Sequence, residues 1–109
     1  MTPFTEEVIK IIRSIPEGKV MTYGQIARFA GSTRAARQVV RILHSMSKKY
    51  SLPWYRVVNA KGQIVIKNEE GYLEQNLNLV SEGVEVDKNG KIDLEKYQWF
   101  PAMDMNEKK

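Results

Sequence analysis

Two short helices joined by a glycine turn are the feature that most restricts the fold of this 109-residue chain. Thr22 is followed three residues later by Gln25, which is the spacing of a capping box, where each side chain bonds the other residue's backbone N–H. Gly31 is suited to end the helix that begins there. Ser32 or Thr33 can then cap the next helix. The arrangement predicts a helix-turn-helix.

The helix that follows, over residues 34–46, has two different faces when drawn at about 100° per residue. The apolar face, which needs a core to pack against, consists of Ala35, Val39, Ile42, Leu43 and Met46. The polar face consists of Arg34, Arg37, Gln38 and Arg41. Arginine and glutamine reach phosphates and base edges, and no acidic side chain lies three or four residues away to neutralise this face. The pattern favours a nucleic-acid surface, and a solvated helix face is the alternative.

Positive charge is concentrated in the N-terminal part of the sequence. Residues 1–61 hold 11 Lys or Arg against 3 acidic residues, a net charge of +8. Residues 62–109 hold 6 against 10, a net charge of −4, which leaves +4 for the whole chain. A basic half suggests a polyanionic partner, most simply nucleic acid, and random charge scatter on a soluble domain is the alternative.

The other elements predict one small, mainly helical α/β domain over residues 1–101, with residues 102–109 as a disordered tail. A first helix is expected over Pro3–Ser14, with Thr2 as its cap. A fourth helix is expected near residues 71–81 and should bury the stripe of Leu73, Leu77 and Val80.

Two β-hairpins and a packed C-terminal segment complete the prediction. Val57–Val58 and residues 64–66 flank a turn and predict the first hairpin. Residues 84–86 and 92–94 flank Asn89-Gly90 and predict the second. The aromatic segment Tyr97–Pro101 is expected to pack back on the domain.

The composition excludes several kinds of site. With no cysteine in the chain there is no disulfide, no Cys-containing zinc site and no thiol nucleophile. A single histidine, His44, argues against a His-based metal centre or a Ser-His relay. We therefore expect no metal and no cofactor. The sequence also contains no apolar stretch long enough for a membrane span and no signal-peptide pattern at its start.

Three motifs at characteristic separations carry a family resemblance. They are GKVMTYGQIA at residues 18–27, RAARQV at residues 34–39 and PWYRVVN at residues 53–59. Over about residues 4–86 the chain resembles the DNA-binding domain of O6-alkylguanine-DNA alkyltransferases, in which a PCHRV motif follows a helix-turn-helix. The resemblance implies a winged-helix-like domain.

Trp54 stands where those enzymes have their acceptor cysteine. This substitution marks the alkyltransferase-like proteins, which usually carry PWHRV, and the chain resembles that group closely. Tyr55 departs from the histidine usual in the group. Removal of the alkyl group from O6-alkylguanine by transfer to the protein requires a thiolate. The chain is therefore expected to bind this DNA lesion without repairing it and not to be an enzyme.

The resemblance implies that the protein extrudes O6-alkylguanine from double-stranded DNA and flags it for nucleotide excision repair. The implied partners are lesion-containing duplex DNA and the damage-recognition proteins of that pathway, with no membrane partner and a monomeric state. The implied location is cytoplasmic, at the nucleoid in a bacterium, or nuclear in a eukaryote.

Site residues follow from the matched motifs. The implied lesion pocket consists of Tyr23, Trp54, Tyr55, Arg56, Val57 and Lys67. The implied DNA-binding residues are Thr22, Tyr23, Gln25, Arg34, Ala35, Arg37, Gln38 and Arg41.

Individual roles also follow from the family. Tyr23 would crowd the 3′ phosphate of the target nucleotide, and Arg37 would fill the vacated stack. Trp54 would form the wall that meets the alkyl group, whereas a core tryptophan is the alternative. Lys67 would face the base or remain an exposed lysine, and Asn59 would tie its loop to the helix-turn-helix.

Two rival functions remain open on the sequence. The first is a winged-helix regulator that reads sequence in the major groove and needs no pocket. The second is an enzyme, either a residual alkyltransferase or a glycosylase, which the missing cysteine and the lack of a carboxylate in a motif position disfavour.

Overall fold

Helices dominate the fold of residues 1–101, which are the residues that the computed structural model describes. The elements in chain order are α1 (Pro3–Ser14), β1 (Met21–Thr22), α2 (Tyr23–Phe29), α3 (Ala36–Tyr50), a 3₁₀ turn (Trp54–Arg56), β2 (Val57–Val58), α4 (Glu69–Ser81) and α5 (Leu94–Tyr97). The predicted mainly helical α/β class is confirmed. The predicted tail, residues 102–109, lies outside the described residues. In the described part of the chain no helix has the length and apolarity to span a membrane.

The starts of α1 and α2 confirm the capping predictions. The Thr2 hydroxyl accepts a hydrogen bond from the Thr5 amide at 3.1 Å. In the capping box, the Gln25 amide donates to the Thr22 hydroxyl and the Thr22 amide donates to the Gln25 side chain, each at 3.1 Å. Gly31 follows α2 with φ of +106°, a left-handed conformation that glycine adopts without strain.

The start of α3 differs from the prediction. The N-cap residue is Ala35, which makes no side-chain capping bond, so the predicted caps at Ser32 and Thr33 are wrong. The Ser32 amide instead donates to the Ala27 carbonyl at 2.9 Å and so closes the end of α2. The helix also runs past residue 46 to Tyr50, because no glycine or proline interrupts it.

One core cluster joins α1, α2 and α3. The apolar face predicted for α3 is confirmed, since Val39, Ile42 and Leu43 are buried in this cluster with Ala35 and Met46 packed at its margin. The basic side chains of α3 are consequently turned towards solvent.

The first predicted hairpin does not form. Val57 and Val58 pair in parallel with Met21 and Thr22 of β1 instead. The turn after β2 does close, but residues 64–66 form no strand. The Ile64 amide instead donates to the Gly90 carbonyl at 3.0 Å. The partners are distant in sequence, which a local pattern cannot reveal.

The second predicted hairpin keeps its turn and loses its strands. The Asp87 amide donates to the Lys91 carbonyl at 3.0 Å, but residues 92–94 leave this turn and Leu94 begins α5. The Ile92 amide donates to the Gly62 carbonyl at 2.8 Å. Gly62 has φ of +79°, and a Cβ there would lie 2.5 Å from the Ile92 carbonyl oxygen. Only glycine permits this approach.

The C-terminal segment packs on the domain, as predicted. The Val20 amide donates to the Tyr97 carbonyl at 2.9 Å, and the Trp99 amide donates to the Val20 carbonyl at 2.8 Å. A second core cluster lies beside this segment and contains Val20, Val58, Ile64, Leu79, Val84, Ile92 and Tyr97. β1 and β2 connect the two clusters, because successive strand residues face opposite sides.

α4 buries a different face from the one predicted. Leu73, Leu77 and Val80 are exposed, whereas Gln75 and Leu79 are buried. The prediction of a buried leucine stripe is therefore wrong.

Candidate nucleic-acid interface

A cavity of about 600 Å³ lies between the start of α2, one side of α3, the 3₁₀ turn and residues 65–75. Tyr23, Trp54 and Lys67 line it. The other lining residues are Val40, Leu43, His44, Ser47, Val65, Ile66, Asn68, Gly71 and Gln75. Sites for small ligand groups have volumes of about 300–1,000 Å³, so the cavity is large enough for a single nucleobase.

Trp54 is neither sealed in the core nor fully exposed. Its ring packs against the first core cluster and also forms part of the cavity lining. The Tyr55 ring meets it edge to face, with centroids 5.9 Å apart and planes at 83°. Such an aromatic pair restricts the orientation of the indole. Trp54 therefore offers the cavity a fixed, apolar surface.

Tyr23, the first residue of α2, is half-buried and packs against the first core cluster. Burial raises the pKa of its hydroxyl above the ordinary value. The hydroxyl is therefore protonated at neutral pH and can donate a hydrogen bond into the cavity.

Gln75 holds in place the 3₁₀ turn that carries Trp54, a role that the sequence did not reveal. Its side-chain amide, which is buried on α4, donates to the carbonyls of Tyr55 and Val57 at 3.2 and 3.1 Å. These carbonyls flank Arg56 at the end of the 3₁₀ turn, so α4 braces the segment that carries Trp54. A single glutamine on a helix carries no local signal for such a contact.

Arg56 has an internal role. Its guanidinium bonds both carboxylate oxygens of Glu82, with Nε at 3.0 and 3.1 Å, and donates from Nη1 to the Ile15 carbonyl at 2.8 Å. The carboxylate of Glu82 also accepts from the Gly18 amide at 3.0 Å. The sequence does not reveal this ion pair between Arg56 and the C-terminal end of α4.

The Arg56–Glu82 pair changes the acidity of its neighbourhood. Burial would by itself raise the pKa of the Glu82 carboxyl, but the hydrogen bonds from Arg56 and Gly18 together lower it. The pKa of the Tyr55 hydroxyl is raised, chiefly by burial. The Arg56 guanidinium lies 5.3 Å from the Tyr55 ring centroid.

The structure thus brings together half of the predicted pocket. Tyr23, Trp54 and Lys67 line the cavity, whereas Tyr55 and Arg56 lie outside its lining. Val57 is fully buried in the first core cluster and also lies outside the lining. A motif places these residues close in sequence, but the 3₁₀ turn and β2 point them in different directions.

The predicted DNA-binding residues divide into two groups. Arg34, Arg37, Gln38 and Arg41 are exposed. Among residues 1–101 the salt bridges are Lys10–Glu7, Arg56–Glu82 and Lys96–Glu85, so the arginines of this group are free to meet an external anion.

Thr22, Gln25 and Ala35 belong to the second group. Thr22 and Gln25 are buried, and the Gln25 amide donates to the Trp99 carbonyl at 2.7 Å while its oxygen accepts from Gln98 at 2.8 Å. Ala35 packs against the first core cluster. These side chains therefore serve internal contacts, contrary to the DNA-contact prediction.

Asn59 is also used locally. Its side-chain oxygen accepts from the amides of Lys61 and Gln63 at 2.9 and 2.8 Å and shapes the turn after β2. The predicted tie from Asn59 to the helix-turn-helix is therefore wrong. Gln25, bonded to the C-terminal segment, ties the helix-turn-helix to the rest of the domain.

The basic surface and the cavity adjoin on α3. Val40, His44 and Ser47 line the cavity at positions i, i+4 and i+7. Arg37 and Arg41 lie one helical turn or less from Val40, so the two surfaces share an edge. No sequence motif marks His44 and Ser47 as lining residues, although their helical spacing from Val40 is a usable signal.

Comparison with known proteins finds related proteins over most of the chain. A family model described as the DNA binding domain of 6-O-methylguanine DNA methyltransferase matches residues 3–84. The chain is 42% identical over 101 residues to the DNA base-flipping protein of Vibrio parahaemolyticus, covering 93% of this chain and 100% of that protein. It is 36% identical over 106 residues to Alkyltransferase-like protein 1 of Schizosaccharomyces pombe, covering 93% and 98%.

Solved structures show the same relationship. The crystal structure of S. pombe Atl1 in complex with damaged DNA containing O6-carboxymethylguanine matches with a TM-score of 0.82 at 36% identity, over 93% of this chain and 98% of that one. The Mycobacterium tuberculosis O6-methylguanine methyltransferase matches with a TM-score of 0.61 at 25% identity, over 88% of this chain and 55% of that one. On these findings the chain belongs to the alkyltransferase-like proteins, which share the DNA-binding domain of the 6-O-methylguanine DNA methyltransferases.

Proposed function

We propose that the protein binds duplex DNA containing O6-alkylguanine, extrudes the modified nucleotide into the cavity lined by Tyr23 and Trp54, and leaves the alkyl group in place. The observation that carries the proposal is the apolar cavity beside an unneutralised basic helix face. The name of the Vibrio relative as a DNA base-flipping protein and the complex of S. pombe Atl1 with damaged DNA support it.

The basic face of α3 supplies the affinity for the duplex. Arg41 on α3 and Arg34, which lies in the turn just before α3, neutralise phosphates, and this electrostatic contribution does not depend on sequence. Arg37 enters the stack that the extruded base has left, because a planar guanidinium can stack on bases and bond the orphaned cytosine. Tyr23 acts at the cavity entrance, where its protonated hydroxyl meets the phosphate of the extruded nucleotide.

The cavity supplies preference for the lesion. Extruding a base costs a few kcal/mol, and the cost is smaller for a badly paired base such as O6-alkylguanine. Trp54 then offers an apolar face to the alkyl group, and Lys67 places a positive charge in the same lining. A cation at that position can respond to the altered electrostatics of the alkylated ring.

The protein does not act as an alkyltransferase in this proposal. Direct alkyl transfer from oxygen requires a thiolate acceptor, and the sequence has no cysteine. An indole is not a nucleophile towards such an alkyl group. The bound lesion is instead flagged for nucleotide excision repair by a monomeric protein acting wherever the cell keeps its DNA.

A fluorescence titration tests this function. A Trp99→Phe variant leaves Trp54 as the single tryptophan, because the chain has two. We expect O6-methylguanine duplex to bind more tightly than the same duplex with guanine at fixed salt, and to change Trp54 emission. Equal affinities would support the sequence-reading regulator instead, because a regulator needs no lesion cavity.

Two further measurements distinguish the role of the cavity from that of the basic surface, and lesion binding from transfer of the alkyl group. Trp54→Ala should reduce the ratio of lesion to undamaged affinity, while Arg34→Ala should weaken both affinities alike, because a phosphate contact does not sense the base. Duplex labelled on the methyl group should keep its label after incubation. Label found on the protein would contradict the non-enzymatic part of the proposal.

A further inference from the structure

An unexpected apolar stripe runs along the outside of α4. Leu73, Leu77 and Val80 have exposed fractions of 52%, 67% and 51%, and they lie within roughly 60° of one another around the helix. Exposed apolar residues are common as scattered single side chains, whereas aligned ones often mark an interaction surface. We call these three residues the α4 stripe.

Polar contacts on the other side of α4, together with the buried Leu79, fix the orientation of the helix. Gln75 bonds the carbonyls beside the 3₁₀ turn, and Glu82, next to the end of α4, bonds Arg56 and the Gly18 amide. Gly71 lies so close to Ile66 that a Cβ would approach its methyl carbon to 2.8 Å. Because these contacts hold one face of α4 inward, the α4 stripe is held outward in the folded protein.

The α4 stripe faces away from the proposed DNA site. Gly71 and Gln75 line the cavity, and they lie about 160° from Leu73 around the helix, on its far side. A duplex seated on α3 with a base in the cavity would therefore leave the α4 stripe accessible.

The charge around the α4 stripe has the opposite sign to that of α3. Glu69, Glu70 and Glu74 are exposed beside the stripe, and α4 contains no lysine or arginine. Negative potential at this surface repels DNA and attracts a basic protein surface. It also disfavours a second copy of the chain, because two α4 stripes packed together would bring like charges into contact.

We propose that the α4 stripe docks a partner protein that presents an apolar ridge flanked by lysine or arginine side chains. The inference rests on the proposed function, because it names the surface through which a DNA-bound protein would be recognised by the repair machinery. In this arrangement α3 and the cavity hold the lesion while the opposite side of α4 holds the partner.

A synthetic peptide tests the chemistry of this surface. The probe is a fluorescein-labelled amphipathic helix of leucine and lysine, titrated by anisotropy against the free protein, with a leucine–glutamate helix as the charge-reversed probe. We expect the lysine peptide to bind with an affinity that falls as salt rises, and the glutamate peptide to bind at least about tenfold more weakly. Equal binding of the two peptides overturns the proposal.

Matched variants locate the binding. Leu77→Ser with Val80→Ser removes apolar surface from the α4 stripe and should weaken lysine-peptide binding about tenfold or more. Phe100→Ser is the control, because Phe100 is similarly exposed at 55% but lies outside the stripe. It should leave the affinity unchanged. An equal loss in both variants overturns the proposal.

The competing occupants give different results. A dimer detected by light scattering that disappears in the Leu77→Ser, Val80→Ser variant shows self-association and overturns the proposal. Tighter peptide binding after deletion of residues 102–109 shows that the chain's own terminal segment occupies the stripe, and overturns it too. If the wild type is monomeric and deletion of residues 102–109 leaves the peptide affinity unchanged, the results support a separate partner.

A cell-free excision assay connects the surface to repair. The stripe variant should bind O6-methylguanine duplex as tightly as the wild type but fail to promote its excision in a repair-competent extract. Undiminished excision overturns the docking proposal. If the wild-type protein shows no preference for the lesion, the proposed function is wrong. The peptide titrations still test the chemistry of the α4 stripe in that case.

Discussion

Replacing Arg56 by methionine should lower stability without weakening lesion binding by the folded protein. The substitution removes the guanidinium donors to the Glu82 carboxylate, which keeps its bond from the Gly18 amide, and also removes the donor to the Ile15 carbonyl. Breaking a buried ion pair from one side costs about 3–5 kcal/mol. Because the Arg56 and Glu82 side chains remain 14% and 8% exposed, we expect a somewhat smaller loss, about 2–4 kcal/mol.

Urea denaturation followed by tryptophan fluorescence measures this loss, and a DNA titration in the absence of urea measures binding. Arg56→Lys should cost less than methionine, because lysine keeps the charge and loses the forked geometry. The dissociation constant, corrected for the folded fraction, should stay within about twofold of wild type. A tenfold weaker lesion affinity with unchanged stability would refute the internal role and return Arg56 to the predicted lesion pocket.

Three other perturbations test separate parts of the structure. Arg37→Ala should lower lesion affinity by about 1–3 kcal/mol if its guanidinium replaces a stacked base. A change no larger than that of Arg28→Ala, in the same titration at fixed salt, would make it an ordinary surface charge. Folding lowers the pKa of Glu82 below its ordinary 4.5, so its contribution to stability is present above that pH and lost as pH falls through the folded value. Glu82→Gln should therefore reduce stability at pH 7 and make stability fall less steeply as the pH is lowered. Urea midpoints measured across pH would show this. If stability of the variant fell as steeply in acid as that of the wild type, the acid dependence would belong to other groups. Gly62→Ala should cost about 1–3 kcal/mol by chemical denaturation, because its φ of +79° and the Ile92 carbonyl 2.5 Å from the added Cβ both resist a side chain; a loss below about 0.5 kcal/mol would show that the loop relaxes freely.

Sequence can locate side chains of the candidate site where a helix or a motif sets the local geometry. The family motif predicts Tyr23 for the lesion pocket, and the structure places it in the cavity lining at the first residue of α2. Trp54 was placed there by the family motif. Arg56 was misplaced because adjacency to Trp54 says nothing about the ion pair that turns it towards Glu82.

The sequence by itself determined the local elements of this protein. The cap at Thr2, the capping box at Thr22 and the two-faced pattern of α3 depend on residues no more than a few positions apart. Such interactions are completed within a helix or its first turn, and so their spacing is visible in the chain.

Only the tertiary structure decided which segments pair and which face of α4 is buried. Val57 pairs with Met21, and the Gln75 side chain reaches two carbonyls some 20 residues away in the chain. A buried carbonyl that lacks a donor costs about as much as a leucine gains by burial, so satisfying two of them can outweigh an apolar stripe. Leu73 and Leu77 therefore lie outside while Leu79 is buried, because long-range hydrogen bonds help to set the orientation of the helix that carries them.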